Sequence, residues 1–327
     1  MTITSKPLVM GELSPTAIEI DQFTIGLFAK KCEQFHEDAK AFAAFILNVS
    51  GTLQLASLSC SPNEDTDRRK LHSKTAKNEI MHKNPLVLAR RGLIRFLIRE
   101  AKRMETNEGK SEILEKNDDG ELQLKSGCHV YMYSTYSYLC ENVYWGWEGM
   151  KTHDTNHCIM NKIRRWAMLG VQGALLSTVF SPIYITRFVL GASPPVPIED
   201  LWMLLFEKLD FQEKQPPTLE AIERPPPNLS LVRAFVWHQG QTGIDVIGEN
   251  GKSEDGSGSS VCKEEIFRAF LQLGVANKKV RKYSKAKKEA GHYQALKKRL
   301  YRQWEAEQNG KWMKKKGNKV DKFWIKL

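Results

Sequence analysis

The side chains with the most chemistry to offer are basic, and they are concentrated. Residues 278–327 hold 18 Lys and Arg against four Asp and Glu, a net of +14. Residues 1–277 carry 31 basic and 34 acidic residues, a net of −3. The formal charge of +11 is therefore a near-neutral body with a strongly basic end. Tyr283, Tyr293, Tyr301, Trp304, Trp312, Phe323 and Trp324 interleave with those cations. A solvated, disordered tail is poor in aromatics, so this end is expected to be ordered and packed. A basic excess of this size points to a polyanion, either nucleic acid or a phosphorylated small molecule. Cations packed together require an anion, because each unpaired buried charge costs several kcal/mol. The competing reading is that these lysines and arginines line solvated helical faces, and spacing alone leaves it open.

The six cysteines are Cys32, Cys60, Cys128, Cys140, Cys158 and Cys262, with no dense or paired pattern. They fit a reducing intracellular compartment better than a disulfide scaffold, with the nucleus or cytoplasm as the expected location. The longest apolar run, Ala41 to Leu47, is far short of the roughly 20 residues that cross a membrane. The opening MTITSKPLVM lacks the apolar core of a signal peptide. With 41% hydrophobic residues the chain can bury a sizeable core, which excludes a wholly disordered or collagen-like protein.

Elements must bring these residues together. Apolar spacing predicts a helix over Ile18–His36. The runs Ala41–Asn48 and Thr52–Cys60, around Val49-Ser50-Gly51, read as a β-hairpin. Ser61–Asn84 reads as a long polar loop, Leu86–Met104 as a helix and Thr106–Ser126 as charged surface with a turn at 117–120. Cys128–Thr135 is expected to be a buried strand, Lys162–Val179 one long helix, Pro182–Leu190 a strand and Pro197–Leu209 a helix. Pro216-Pro217 and Pro225-Pro226-Pro227 read as connectors. Leu229–Trp237 and Ile244–Ile247 form a further expected hairpin, followed by a flexible Gly/Ser loop over Gly251–Ser260. Cys262–Leu273 and Lys285–Glu307 are the last expected helices. Strands alternating with helices, with no clean linker, indicate α/β: a single compact domain with a central mixed sheet flanked by helices.

Several segments together resemble the deaminase domain of the adenosine deaminases acting on RNA, tRNA adenosine deaminase 1 and their inactive relatives. Leu88 to Leu97 resembles the helix that follows that family's His-Ala-Glu motif. Lys162-Ile163-Arg164-Arg165-Trp166, then Gly170 to Ser177, Pro182 to Ile185 and Leu190-Gly191 form the most specific stretch. Cys262-Lys263 and the set Tyr283, Lys287, Tyr293-Gln294-Ala295, Lys297 and Trp312 complete it. The resemblance implies a cytidine-deaminase-like core with a C-terminal helical extension. It divides the chain into an N-terminal helical segment, 1–40, and an editase-like domain, 41–327, whose basic helical part is 278–327.

Zinc deaminases hold Zn²⁺ with one His and two Cys, and a Glu two residues after the His shuttles protons. Aligned without gaps from Arg90-Arg91, the family's His and Glu fall on Asn84 and Leu86. Its two Cys positions fall on Tyr138 and Ile159. Asn is a poor zinc ligand and Leu carries no proton. Zinc and catalysis are therefore not expected. One alternative uses relocated ligands, His82, Cys140 and Cys158, each one or two residues from a lost position. It requires three separate register shifts, and Asn84 would still replace the Glu after His82. Otherwise Cys140 and Cys158 are small buried thiols. Active relatives carry a far longer RNA-gripping insert than Glu141–His157, whose aromatic run Tyr144-Trp145-Gly146-Trp147 could stack a base or pack as core.

Family members bury inositol hexakisphosphate. The resemblance assigns its holders to Arg90, Arg91, Lys162, Arg165, Trp166, Lys263, Tyr283, Lys287, Tyr293, Lys297 and Trp312, with Ala174 standing where the family has a contacting Ser. The expectation is a pseudoenzyme used as a binding or regulatory module. It would pair with an active RNA adenosine deaminase or another protein, and RNA is a further possible partner.

Overall fold

The structure is a computed structural model that describes residues 14–33, 41–61, 77–80, 82–106, 110–135, 159–192, 197–211, 214–224, 234–248, 250–277, 279–306 and 321–325. Among these, seven strands form one mixed sheet in the order β7-β6-β5-β1-β2-β8-β9. The strands are β1 (Ala41–Val49), β2 (Thr52–Ser61), β5 (Cys128–Thr135), β6 (Ile185–Ala192), β7 (Thr218–Glu223), β8 (Ala234–His238) and β9 (Asp245–Ile247). β5, β6 and β7 run parallel, and the remaining pairings are antiparallel. The expected mixed α/β architecture is present.

Helices cover both faces of this sheet, which explains why β1 is apolar along its length. Successive side chains of a strand point to opposite faces. Ala43, Phe45 and Leu47 pack with α2 (Pro85–Thr106) and α3 (Ile159–Leu169). Phe42, Ala44 and Ile46 pack with α1 (Ala17–Lys31). The β1–β2 turn is the two-residue kind, with both Ser50 (φ 50°) and Gly51 (φ 92°) left-handed. α1 is tied to the sheet by Asp21, which accepts from Tyr133 Oη at 2.5 Å and Arg224 Nε at 2.8 Å.

Five expectations are corrected. The helix predicted over 162–179 stops at Gly170, whose φ of +82° and contact with Gln172 and the Ile183 carbonyl admit no side chain. A short α4 (Gly173–Leu176) follows. Residues 106–126 are not simply surface: β3 (Leu114–Lys116) and β4 (Leu122–Leu124) pair there, burying Ile113, Leu114 and Leu122. The stretch between the proline pairs contains β7, an edge strand. The Gly/Ser stretch 251–260 is folded around Asp245, which accepts from Ser253 Oγ at 2.6 Å, Ser259 Oγ at 2.7 Å and the Ser260 amide at 2.8 Å. The last predicted helix is two: α7 (Tyr283–Glu289) and α8 (Gly291–Ala306), broken at Ala290. α5 (Ile198–Trp202), a π-helical turn (Met203–Glu207) and α6 (Lys263–Leu271) complete the described helices. Most of the predicted loop 61–84 lies outside the described residues.

Candidate functional site

Chain-distant segments converge on one side of α2. The first turns of α2 supply Arg90 and Arg91. On α3, Lys162, Arg165 and Trp166 share a face, as three- and four-residue spacing dictates. Their neighbour Arg164 is buried in another direction, where its Nε donates to the Leu205 carbonyl at 3.0 Å. Lys263 begins α6, Tyr283 and Lys287 lie on α7, and Tyr293, Lys297 and Tyr301 follow one face of α8. Asp321 comes from the C-terminal segment.

The geometry is that of a cation cluster closed by one carboxylate. Lys263 Nζ donates to Asp321 Oδ1 at 2.6 Å, and Lys287 Nζ donates to Asp321 Oδ2 at 2.5 Å. Arg165 Nη1 donates to Tyr301 Oη at 3.3 Å. Arg90 lies 5.3 Å over the Trp166 ring. Lys287 lies 4.6 Å over Tyr283 and Lys297 lies 5.5 Å over Tyr301. Arg91 Nη1 donates to the Val261 carbonyl at 2.9 Å. The guanidinium of Arg90 lies against the backbone of Gly173, where a Cβ would stand 2.4 Å from Nη2. Gly173 has φ +70°, so a glycine at this helix start admits the arginine.

Burial, and for some of them neighbouring cations, disfavours the charged form of several of these groups. Burial, reinforced by Arg165, pushes Arg90 down to about 10. Burial, reinforced by Arg165 and Lys287, pushes Lys297 down to about 8. Burial brings Lys263 to about 8 against the pull of Asp321. Burial also works against ionisation of Asp321, but Lys287 and Lys263 outweigh it and hold its carboxyl well below the usual range. Two buried donors, Arg90 Nε and Trp166 Nε1, have no hydrogen-bond partner among the described residues. Donors of this number and kind suit an anion with many acceptor oxygens, and the donor set fits a polyphosphate.

The sequence expected Arg90, Arg91, Arg165, Trp166, Lys263, Tyr283, Lys287, Tyr293 and Lys297 to lie together, and the structure gathers them. Lys162 is buried on the face of α3 that carries Arg165. Trp312 lies outside the described residues. Asp321, Tyr301 and the buried Trp304, which stacks with Tyr301 at 5.7 Å, were not singled out as site residues. Tyr301 follows Tyr293 and Lys297 at four-residue steps, and Asp321 is the lone aspartate of the basic end.

The positions aligned with catalytic residues have structural occupations. Asn84 ends the approach to α2: its Oδ1 accepts from the Leu86 amide at 3.0 Å, and its carbonyl accepts from Leu88 at 3.0 Å. Leu86 and Ile159 are buried in the main apolar core. His82 Nδ1 accepts from the Asn84 amide at 3.3 Å. Among the described residues no three His, Cys, Asp or Glu side chains gather as a metal-binding group. Tyr138, Cys140, Cys158 and the aromatic run 144–147 lie outside the described residues. No described helix is long and apolar enough to cross a membrane.

Residues 158–316 match the adenosine-deaminase (editase) domain family. In an alignment 175 residues long, a stretch covering 47% of the chain is 27% identical to the double-stranded RNA-specific editase Adar of Drosophila melanogaster. That stretch spans 25% of the length of the fly protein.

Proposed function

We propose that this chain is a catalytically inactive member of the adenosine-deaminase (editase) domain family, which residues 158–316 match, folded on an internal polyphosphate and used as a binding module. The observation that carries the reading is the occupation of the catalytic positions. A proton shuttle requires a carboxylate, and Leu86 is a core side chain. Structural zinc ligands are thiolates, imidazoles and carboxylates, and the neutral amide of Asn84 is none of these; its Oδ1 accepts a backbone amide at the start of α2. The same fold keeps its cations together around Asp321.

The polyphosphate is of the inositol hexakisphosphate class, held by Arg90, Arg91, Lys162, Arg165, Lys263, Lys287 and Lys297, with hydroxyl and indole donors from Tyr283, Tyr293 and Trp166. When bound it supplies negative charge that neutralises these cations and stabilises the native state by mass action. The partner is RNA or an active deaminase of the same family. The relation to an editase specific for double-stranded RNA supports the RNA arm.

A native mass spectrum of the purified chain, with an inosine assay on duplex RNA, tests the reading. The expected spectrum shows a bound polyphosphate and no stoichiometric zinc, and no inosine forms. Stoichiometric zinc with inosine formation would instead establish relocated ligands, with His82, Cys140 and Cys158 the first to mutate.

A further inference from the structure

α7 and α8 each turn one lysine inward, Lys287 and Lys297, and carry their other cations outward. On α7, Tyr283, Ala286 and Lys287 turn inward, whereas Lys285 and Lys288 are exposed. On α8, Tyr293, Lys297, Leu300, Tyr301 and Trp304 follow the inner face. Lys298, Arg299 and Arg302 are exposed at the three- and four-residue spacing of one outer stripe. Exposed Lys279, Arg281 and Lys322 extend this charge around the helices. Opposing it are Glu289, bonded to Asn277 at 3.2 Å, exposed Glu305, and Asp210 against Arg299 at 3.4 Å. The surface is therefore strongly positive, and the inner cluster that closes on Asp321 does not use these side chains.

Against the N-cap of α7 stands Trp324. It is 61% exposed, bridged through its backbone to Lys282, whose ammonium lies 5.6 Å over the indole. Exposing an indole to this extent has no folding advantage. Cations bordering an exposed aromatic ring are the arrangement that binds nucleic-acid backbones and stacks bases. Protein interfaces, by contrast, are depleted in lysine.

We propose that the outer face of α7 and α8, with Trp324, is a docking surface for the phosphate backbone of RNA, separate from the inner polyphosphate cluster. The proposal rests on the RNA arm of the proposed function. It assigns Lys285, Lys288, Lys298 and Arg302 to phosphates and Trp324 to an unpaired base.

The test measures binding of the full chain to a random-sequence RNA duplex of about 20 base pairs, and to one strand of it, across about 50–200 mM salt. The combined Lys285→Glu, Lys288→Glu, Lys298→Glu and Arg302→Glu variant should bind the duplex at least tenfold more weakly. Its log–log salt slope should flatten by about 2–4, since each phosphate contact contributes nearly one unit. The corresponding Gln variants should show a smaller loss in the same direction, with unchanged melting temperature and polyphosphate content. Trp324→Ala should weaken single-strand binding more than duplex binding. Wild-type binding that the variants leave unchanged would overturn the surface while leaving the RNA reading intact. A wild-type chain that binds neither RNA overturns both. Equal binding to polyglutamate overturns the choice of RNA in favour of an acidic protein.

Discussion

Lys297 and Asp321 illustrate the two ways a buried charge can be treated. Lys297 is pushed down to about 8 by burial and by Arg165 and Lys287. Its unfolded value is about 10.4, so above pH 8 the unfolded chain holds more protons and stability rises with pH. Below pH 8 the full penalty is present. Lys297→Met should therefore raise the stability of polyphosphate-free protein at pH 7 by on the order of 1–2 kcal/mol, less than full burial would give at about 1.4 kcal/mol per unit. The difference between wild type and variant should shrink as thermal melts move towards pH 9. Wild type should retain more polyphosphate than the variant. Asp321 is also shifted down, which for an acid favours the charged form, so its contribution is stabilising, present above about pH 3.9 and lost as pH falls through its lower folded value. Asp321→Asn strips the counter-charge from Lys263 and Lys287, each about a quarter exposed. It should cost on the order of 2 kcal/mol, below the roughly 3–5 of a fully buried pair, and chemical denaturation reads it. The cations of this cluster were legible in the sequence through the family resemblance. Asp321 was not, because its partners lie 58 and 34 residues away and no local spacing connects them.

Elements proved legible where burial writes a pattern. β1 and β2 read clearly because helices cover both sides of the sheet and the apolar run is continuous. β7 did not, since it is an edge strand with half-buried side chains between proline pairs. The break after α3 was hidden for another reason. Apolar residues continue through Gly170 and Gly173, so periodicity runs on while the backbone turns. That turn matters to the site, because the opening at Gly173 receives Arg90. Gly173→Ala should strain a positive φ and displace the guanidinium. A loss of about 1–3 kcal/mol is expected, with a disproportionate fall in retained polyphosphate. Ala174→Gly, one residue on, should leave the polyphosphate content near wild type.

For the whole molecule, localising the charge changes what the charge means. Part of the +11 faces inward, so the chain's net charge overstates its exposed field. A ligand that binds only the native state adds about 2.7 kcal/mol at a hundredfold excess over its Kd. Inositol hexakisphosphate should therefore raise the melting temperature in a concentration-dependent way. Sodium sulfate at equal ionic strength should give a smaller, unsaturable rise. A melting temperature indifferent to the polyphosphate would remove it from the account.

The spread of the cluster along the chain also sets a timetable. About 230 residues separate Arg90 from Asp321. At roughly 5–20 residues per second, a ribosome needs some 12–46 s to make them. Throughout that interval Arg90 and Arg91 exist without the carboxylate that later closes the group. The cluster they join lacks its counter-charge until Asp321 emerges, or until an anion from the cell stands in for it. The supply of polyphosphate during synthesis, more than its level afterwards, would then govern how much of the nascent chain reaches the native state.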